Sequence, residues 1–191
     1  MKRILKRASR LRKVSCDVDL RADLNCRFAW SCDLEESVID SMVSLTRKHM
    51  RKLYNDAGGV WRWKDETKRS ELVDDEARYF LIESECDGMS DLVAFVHFRF
   101  TVDDDEVEPV CYVYELQVDE KFRKLGLGSK LMSLVEDLCI SRTEFRKLML
   151  TVFSANDQAR CFYEKLGFSP DPTSPLNSVY LILSKSIEFN L

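Results

Sequence analysis

Residues 113–131 read VYELQVDEKFRKLGLGSKL. The first part is a strand: Val110, Tyr112, Tyr114, Leu116 and Val118 alternate and are expected to share one face. From Gly126 to about Ser141 the apolar spacing becomes helical. Between the two stands Arg123-Lys124-Leu125-Gly126-Leu127-Gly128. Glycines at such a junction let the backbone approach a ligand and take dihedrals that other residues avoid. The first helical turn adds free N–H groups at the positive end of a dipole. Together these make an anion cradle suited to a pyrophosphate, with Arg123, Lys124 and Lys130 adding charge. The spacing is neither the dinucleotide fingerprint nor the Walker loop. Taken alone, a plain glycine-containing turn with surface cations explains it better.

A second unit follows at 148–168, LMLTVFSANDQARCFYEKLGF. Lys147 to Phe153 is a nearly continuous apolar strand, as expected when both faces are covered. Asn156 to Leu166 is helical and stops at Gly167. Upstream, Asp33 and Glu36 form a capping pair for a helix over about 34–54, closed by Gly58-Gly59. Trp61, Trp63 and the charged run 64–78 come next, with 64–72 read as a helix start bearing a solvated charged face. Strands are expected at 78–84, 92–101, 110–118 and 179–183, with a turn at 86–90 and an acidic tip, Asp103-Asp104-Asp105-Glu106. The order predicts an α/β (α+β) fold, a mixed central sheet flanked by helices.

The 191 residues are 45% apolar, enough for one core. The net charge of −4 is uneven. Residues 1–27 hold nine Lys and Arg against three Asp, so the remainder carries a net −10. An acidic body suits a basic ligand and argues against nucleic acid as the main partner. Residues 1–13 contain no acid. They read as a nuclear address, an arm for phosphate-rich partners, a mitochondrial presequence, or simply a solvated end. No stretch is long and apolar enough for a membrane span, and no secretory signal is expected. Seven cysteines without a Cys-x-x-Cys pair, and only two histidines, point to a reduced intracellular protein without zinc. His49 and His97 are read as structural.

The paired motifs resemble the GCN5-related N-acetyltransferase (GNAT) superfamily: Arg123, Gly126 and Gly128 after one strand, then Asn156, Ala159, Phe162, Tyr163, Gly167 and Phe168. The segments YNDAGGVWRWKDETKRSEL, FVHFRF, CYVYELQV, RKLGLGSKL and LMLTVFSAN are similar to the NatD branch, the histone-specific N-terminal acetyltransferases. The likeness covers most of residues 34–183, makes no use of the amino-terminal thirty, and implies a single GNAT domain at 31–191 with strands splayed around acetyl-CoA; residues 1–30 are read from their charge as a basic segment. No metal is implied.

By this resemblance, Leu116, Gln117 and Val118 meet the thioester and pantetheine, Arg123 to Ser129 (with Lys124, Leu125, Gly126, Leu127 and Gly128) hold the pyrophosphate, and Asn156 contacts the cofactor. Glu115 is the candidate general base, acting through one water, and Tyr163 the candidate acid for the departing thiolate. Tyr54, Trp61, Tyr112, Tyr114, Thr151 and Tyr180 would line a peptide channel. Thr173 and Ser174 would close over it, and Asp103 or a neighbouring acid would meet a substrate arginine. The implied substrates are the tails of histone four and histone two-A, which begin Ser-Gly-Arg-Gly-Lys. A monomer in cytoplasm and nucleus is expected, with the ribosome as a partner for the basic arm. The rivals are a lysine or small-amine acetyltransferase of the same fold and a non-enzymatic histone- or ribosome-binding module.

Overall fold

The computed structural model describes residues 2–8, 10–16, 18–86, 89–103 and 108–187. Among them, seven strands form one sheet in the order β1-β2-β3-β4-β5-β7-β6. β1 (Leu24–Trp30), β2 (Arg78–Cys86), β3 (Met89–Val102) and β4 (Pro109–Val118) make an antiparallel meander. β5 (Lys147–Phe153) runs parallel to β4, which requires a crossover, and α4 (Leu127–Arg142) supplies it. β7 (Tyr180–Ser186) pairs antiparallel with β5, and the two-residue β6 (Ser169–Pro170) closes that edge.

Two irregularities shape the centre of the sheet. β4 and β5 pair only through Cys111–Leu148, Tyr112–Met149 and Val113–Leu150, and then part. Residues 115–118 therefore pair with β3 on one side and keep the other edge open. The second irregularity is a β-bulge: Val113 pairs with Phe98 and Glu115 with His97, so Tyr114 is one residue extra. The face expected for Val110, Tyr112, Tyr114, Leu116 and Val118 is consequently broken. Val110 and Tyr112 lie in a small apolar cluster with Met149, Ile182 and Tyr180, whereas Leu116 and Val118 pack on the opposite face with Cys111 and Val113. Tyr114 and Glu115 fall next to each other on the side of the first cluster.

Each face is covered by helices. α2 (Glu36–Ala57) and α3 (Asp65–Leu72) lie over one side. There Ile39, Met42, Val43, Leu45 and Leu72 pack on Tyr79, Leu81 and Phe95. The spacing of the α2 residues is the apolar stripe legible in the sequence. Asp33 does not cap α2. Its carboxylate accepts from the Trp30 N–H, serving a short 3₁₀ turn at Ser31–Asp33, and α2 starts after Glu35 without a side-chain cap.

On the other face, α4 and α5 (Asp157–Lys165) pack with Phe80, Val96, Phe98 and Leu150. The amino-terminal segment is not a free end in its described residues. α1 (Lys2–Ala8) buries Ala8, and Ile4, Leu5, Leu11 and Val14 pack on the core of this face. Trp30 Nε1 donates to the Leu11 carbonyl at 2.6 Å. The Arg12 and Arg78 guanidiniums both stack on the Trp30 ring, at 4.2 and 4.1 Å. β1 itself lies within the segment expected to be a basic arm, so the sheet begins before residue 31.

Candidate active site

The parting of β4 from β5 opens a cleft of about 580 Å³. Its walls are Leu116, Gln117 and Val118 of β4, the loop from Phe122 to Ser129, Asn156, Ala159, Phe162 and Tyr163 at α5, and Lys48, His49 and Met50 of α2. The loop takes its shape from backbone conformation. Gly126 stands at φ 75° as the N-cap of α4, and Lys124 is also left-handed at φ 64°. The first bond into the helix runs from the Lys130 N–H to the Gly126 carbonyl, so the amides of Leu127, Gly128 and Ser129 have no helical partner. A β-carbon at Gly128 would meet the Phe162 ring at 3.3 Å, so this turn packs tightly on α5. Leu125 is exposed and does not line the cleft. The Asn156 side chain accepts from the Ala159 N–H and caps α5, leaving its amide NH₂ for other partners.

These features fit a CoA thioester: an open strand edge for an amide-bearing arm, and free helical amides with Arg123 and Lys124 for a pyrophosphate. Tyr163 lines the same cleft. Burial, and then the Glu115 charge, push its phenol above the usual tyrosine range, so it keeps its proton near neutrality.

Behind the cleft floor lies a buried charged cluster. Glu115 is 7% exposed, and both its oxygens are engaged. Gln117 Nε2 donates to one at 2.7 Å and Lys68 Nζ to the other at 3.0 Å. Gln117 in turn meets His49 Nδ1 at 2.7 Å. Lys68, on α3, is only 4% exposed. It also donates to Glu71 Oε1 at 2.8 Å and to the Tyr54 hydroxyl at 3.2 Å. All three ammonium protons thus have acceptors. Burial opposes the Lys68 charge, but Glu115 and Glu71 more than offset it and hold the ammonium above the ordinary lysine range. Burial pushes the Glu71 carboxyl up, against the pull of Lys68. It also pushes Tyr54 to about 12, helped by the Glu115 charge. The run 64–72 is therefore more than a solvated face: α3 turns one lysine inward.

Through Tyr54 the charged cluster joins a group of aromatic rings. Tyr54 contacts Trp61, Trp63 and Phe153 with centroids at 6.5, 5.3 and 4.9 Å, and Trp61 reaches Phe153 at 5.4 Å and Tyr180 at 5.2 Å. Next to them the Tyr112 and Thr151 hydroxyls share a 2.5 Å hydrogen bond, and Tyr112 faces Tyr114 at 5.1 Å. Tyr114 stacks on His97 with Arg99 over its ring. His97 is sealed between Tyr79 and Tyr114, where burial, then Arg99 and Lys68, keep it neutral.

Other expected substrate residues stand apart from this cluster. The Thr173 N–H and hydroxyl both go to Asp171 Oδ1, and the Ser174 hydroxyl accepts from the Ile182 N–H, so these groups hold their own loop together. Asp103 is buried at the base of the β3–β4 hairpin, accepting from the Glu108 N–H. The remaining tip acids, Asp104, Asp105 and Glu106, lie outside the described residues.

Three residues of the site were not singled out from the sequence, Lys68, Glu71 and Phe153, while His49, read there as structural, bonds to Gln117 at its edge. Only Phe153, at the end of an apolar strand, carried a local signal. No described group of three or more His, Cys, Asp or Glu side chains is arranged to hold a metal. Among the described residues, no helix is long and apolar enough to cross a membrane.

A family model described as the acetyltransferase (GNAT) family matches residues 44–168. N-alpha-acetyltransferase 40 of Saccharomyces cerevisiae is 31% identical over 163 residues, covering 73% of this chain, which spans 56% of that protein. A 5-NmdU N-acetyltransferase of Pseudomonas phage PaMx11 is 36% identical over 61 residues, 32% of this chain and 41% of that one. Among solved structures, Arabidopsis thaliana NAA60 with a bisubstrate analogue superposes with a TM-score of 0.64 at 16% identity, over 86% of this chain and all of that one. The same plant protein with acetyl-CoA gives 0.62.

Proposed function

Because the chain belongs to the acetyltransferase (GNAT) family, we propose that it moves an acetyl group from acetyl-CoA to the α-amine of a protein beginning Ser-Gly-Arg-Gly, as at histones four and two-A. The observation that carries this reading is the Glu115 cluster joined through Tyr54 to the rings of Trp61, Phe153 and Tyr180. A peptide entrance bounded by such rings would favour a chain end, which has no residue before it to accommodate. The net negative cluster, with Glu115 and Glu71 around one lysine, favours an ammonium. The yeast relative, named for N-alpha acetylation, supports the same choice.

Acetyl-CoA supplies an activated thioester when bound. The open edge at Leu116 to Val118 pairs with its arm and offers an N–H where charge gathers on the carbonyl oxygen. Arg123 and the amides through Ser129 hold the pyrophosphate. An α-amine has a pKa of about 8 and needs little help near neutrality, unlike a lysine near 10.4. Glu115, already paired with Lys68, suits such mild base assistance. It draws the ammonium in and takes the proton through one water. Tyr163, protonated and lining the cleft, would donate a hydrogen bond to the departing sulfur as the carbon–sulfur bond breaks. Tyr112, Tyr114 and Thr151 line the path of the peptide. Thr173 and Ser174 shape the loop beside it through their bonds to Asp171 and Ile182. Asp103 fixes the hairpin that carries the acidic tip.

The test is to incubate the protein with acetyl-CoA and a Ser-Gly-Arg-Gly-Lys peptide and locate the acetyl group by fragmentation mass spectrometry. Acetyl on the serine amine is expected. Acetyl on lysine would replace this reading with a broader amine acetyltransferase. Peptide binding with no transfer would replace it with a binding module.

A further inference from the structure

The buried cluster gives Lys68 a role that the charged run around it conceals. A lysine is almost never buried unless paired. Here every proton of the ammonium is committed, to Glu115 at 3.0 Å, Glu71 at 2.8 Å and Tyr54 at 3.2 Å. We propose that Lys68 is the positioning residue of this site: it fixes the direction of the Glu115 carboxylate at the point where β4 leaves β5. The inference rests on Glu115 being the base.

The geometry supports it from both ends. Glu115 sits at the bulge, where β4 has just lost β5 as a partner, so its backbone does not fix its direction as a regular ladder would. Its direction comes instead from Lys68 and Gln117, which take one oxygen each. Other groups that face the carboxylate are few. Tyr54 from α2 and Tyr163 from α5 stay protonated. His97, opposite it on β3, is neutral, and Arg99 is turned to His97 and Tyr114. His49 from α2 reaches it only through Gln117. The charged groups in contact with one another here are thus Glu115, Lys68 and Glu71, with the two carboxylates sharing one ammonium.

The test separates turnover from binding. Lys68→Met removes the donor that sets the direction of the carboxylate, so kcat is expected to fall about tenfold or more while the peptide KM changes less. Lys68→Arg, which still donates to Glu115, recovers most of that loss. The affinity for acetyl-CoA is expected to stay within about twofold in both, since Lys68 does not line its cleft. If Lys68→Met fails to fold, Lys68→Gln, which keeps a polar donor but loses the reach, is read in its place with the same loss of kcat expected. Wild-type kcat in the folded variant, or a Lys68→Arg no better than it, overturns the proposal. Glu115→Gln is run alongside. If it loses activity while the Lys68 variant keeps it, only the role of Lys68 falls. If it keeps wild-type kcat, the base assignment falls, and this inference with it.

Discussion

The two walls of the wedge are built in different ways. The wall at residues 123–129 is made of backbone: a left-handed glycine, three helical amides without a helical partner and a turn in which a β-carbon at Gly128 would crowd Phe162 at 3.3 Å. The second wall, behind the cleft and not lining it, is the cluster at Tyr54, Lys68, Glu71, Glu115 and Tyr180, made of side chains drawn from α2, α3, β4 and β7. A backbone site recognises what all its ligands share, and it tolerates change in its side chains but not in its dihedrals. A side-chain site recognises what distinguishes one ligand from another, and single substitutions rewrite it.

That contrast can be broken most sharply at Glu115. Glu115→Gln should lower kcat by about 100-fold or more, the usual scale for losing a general base, while calorimetry finds acetyl-CoA affinity unchanged. Wild-type turnover in that variant would remove the carboxylate from the chemistry. Gly126→Val tests the other wall. A β-branched residue at φ 75° costs about 1–3 kcal/mol, so acetyl-CoA should bind about tenfold more weakly while the peptide KM barely moves. Equal loss for both ligands would mean that the walls are not independent.

Trp61→Ala is expected to do the reverse. It removes ring contacts worth about 0.5–1.5 kcal/mol each and should raise the peptide KM several-fold without touching acetyl-CoA affinity. The smallest effect concerns pH. His97 is neutral in the fold, with its pKa held below the unfolded value of about 6.5, so the unfolded chain binds the extra proton first. Stability should therefore drop as pH falls below about 6.5, by about 1 kcal/mol between pH 6.5 and 5.5. Urea unfolding should show this drop in the wild type and lack it in His97→Gln.

The backbone wall was legible in the sequence because its constraint is local. Arg123, Gly126 and Gly128 must follow a strand at fixed spacing, and that spacing survives as a string. Lys68 was not legible. In a run such as Lys64-Asp65-Glu66-Thr67-Lys68-Arg69, every charge looks equally wet, and only the tertiary fold shows which one is turned inward. The bulge was hidden for a similar reason: residues 110–118 keep alternating as a string while the pairing with β3 slips by one. The amino-terminal segment misled through its charge. Nine basic residues suggest a free arm, yet Ile4, Leu5 and Leu11 between them pack on the core.

The slip at Tyr114 has a geometric reward. In a regular ladder each position of a sheet offers one side chain to a given face. Opposite His97 this chain offers two, a ring and a carboxylate, side by side where the neighbouring strand departs. A protein one residue shorter at this point would have room there for the ring or for the carboxylate, but not for both.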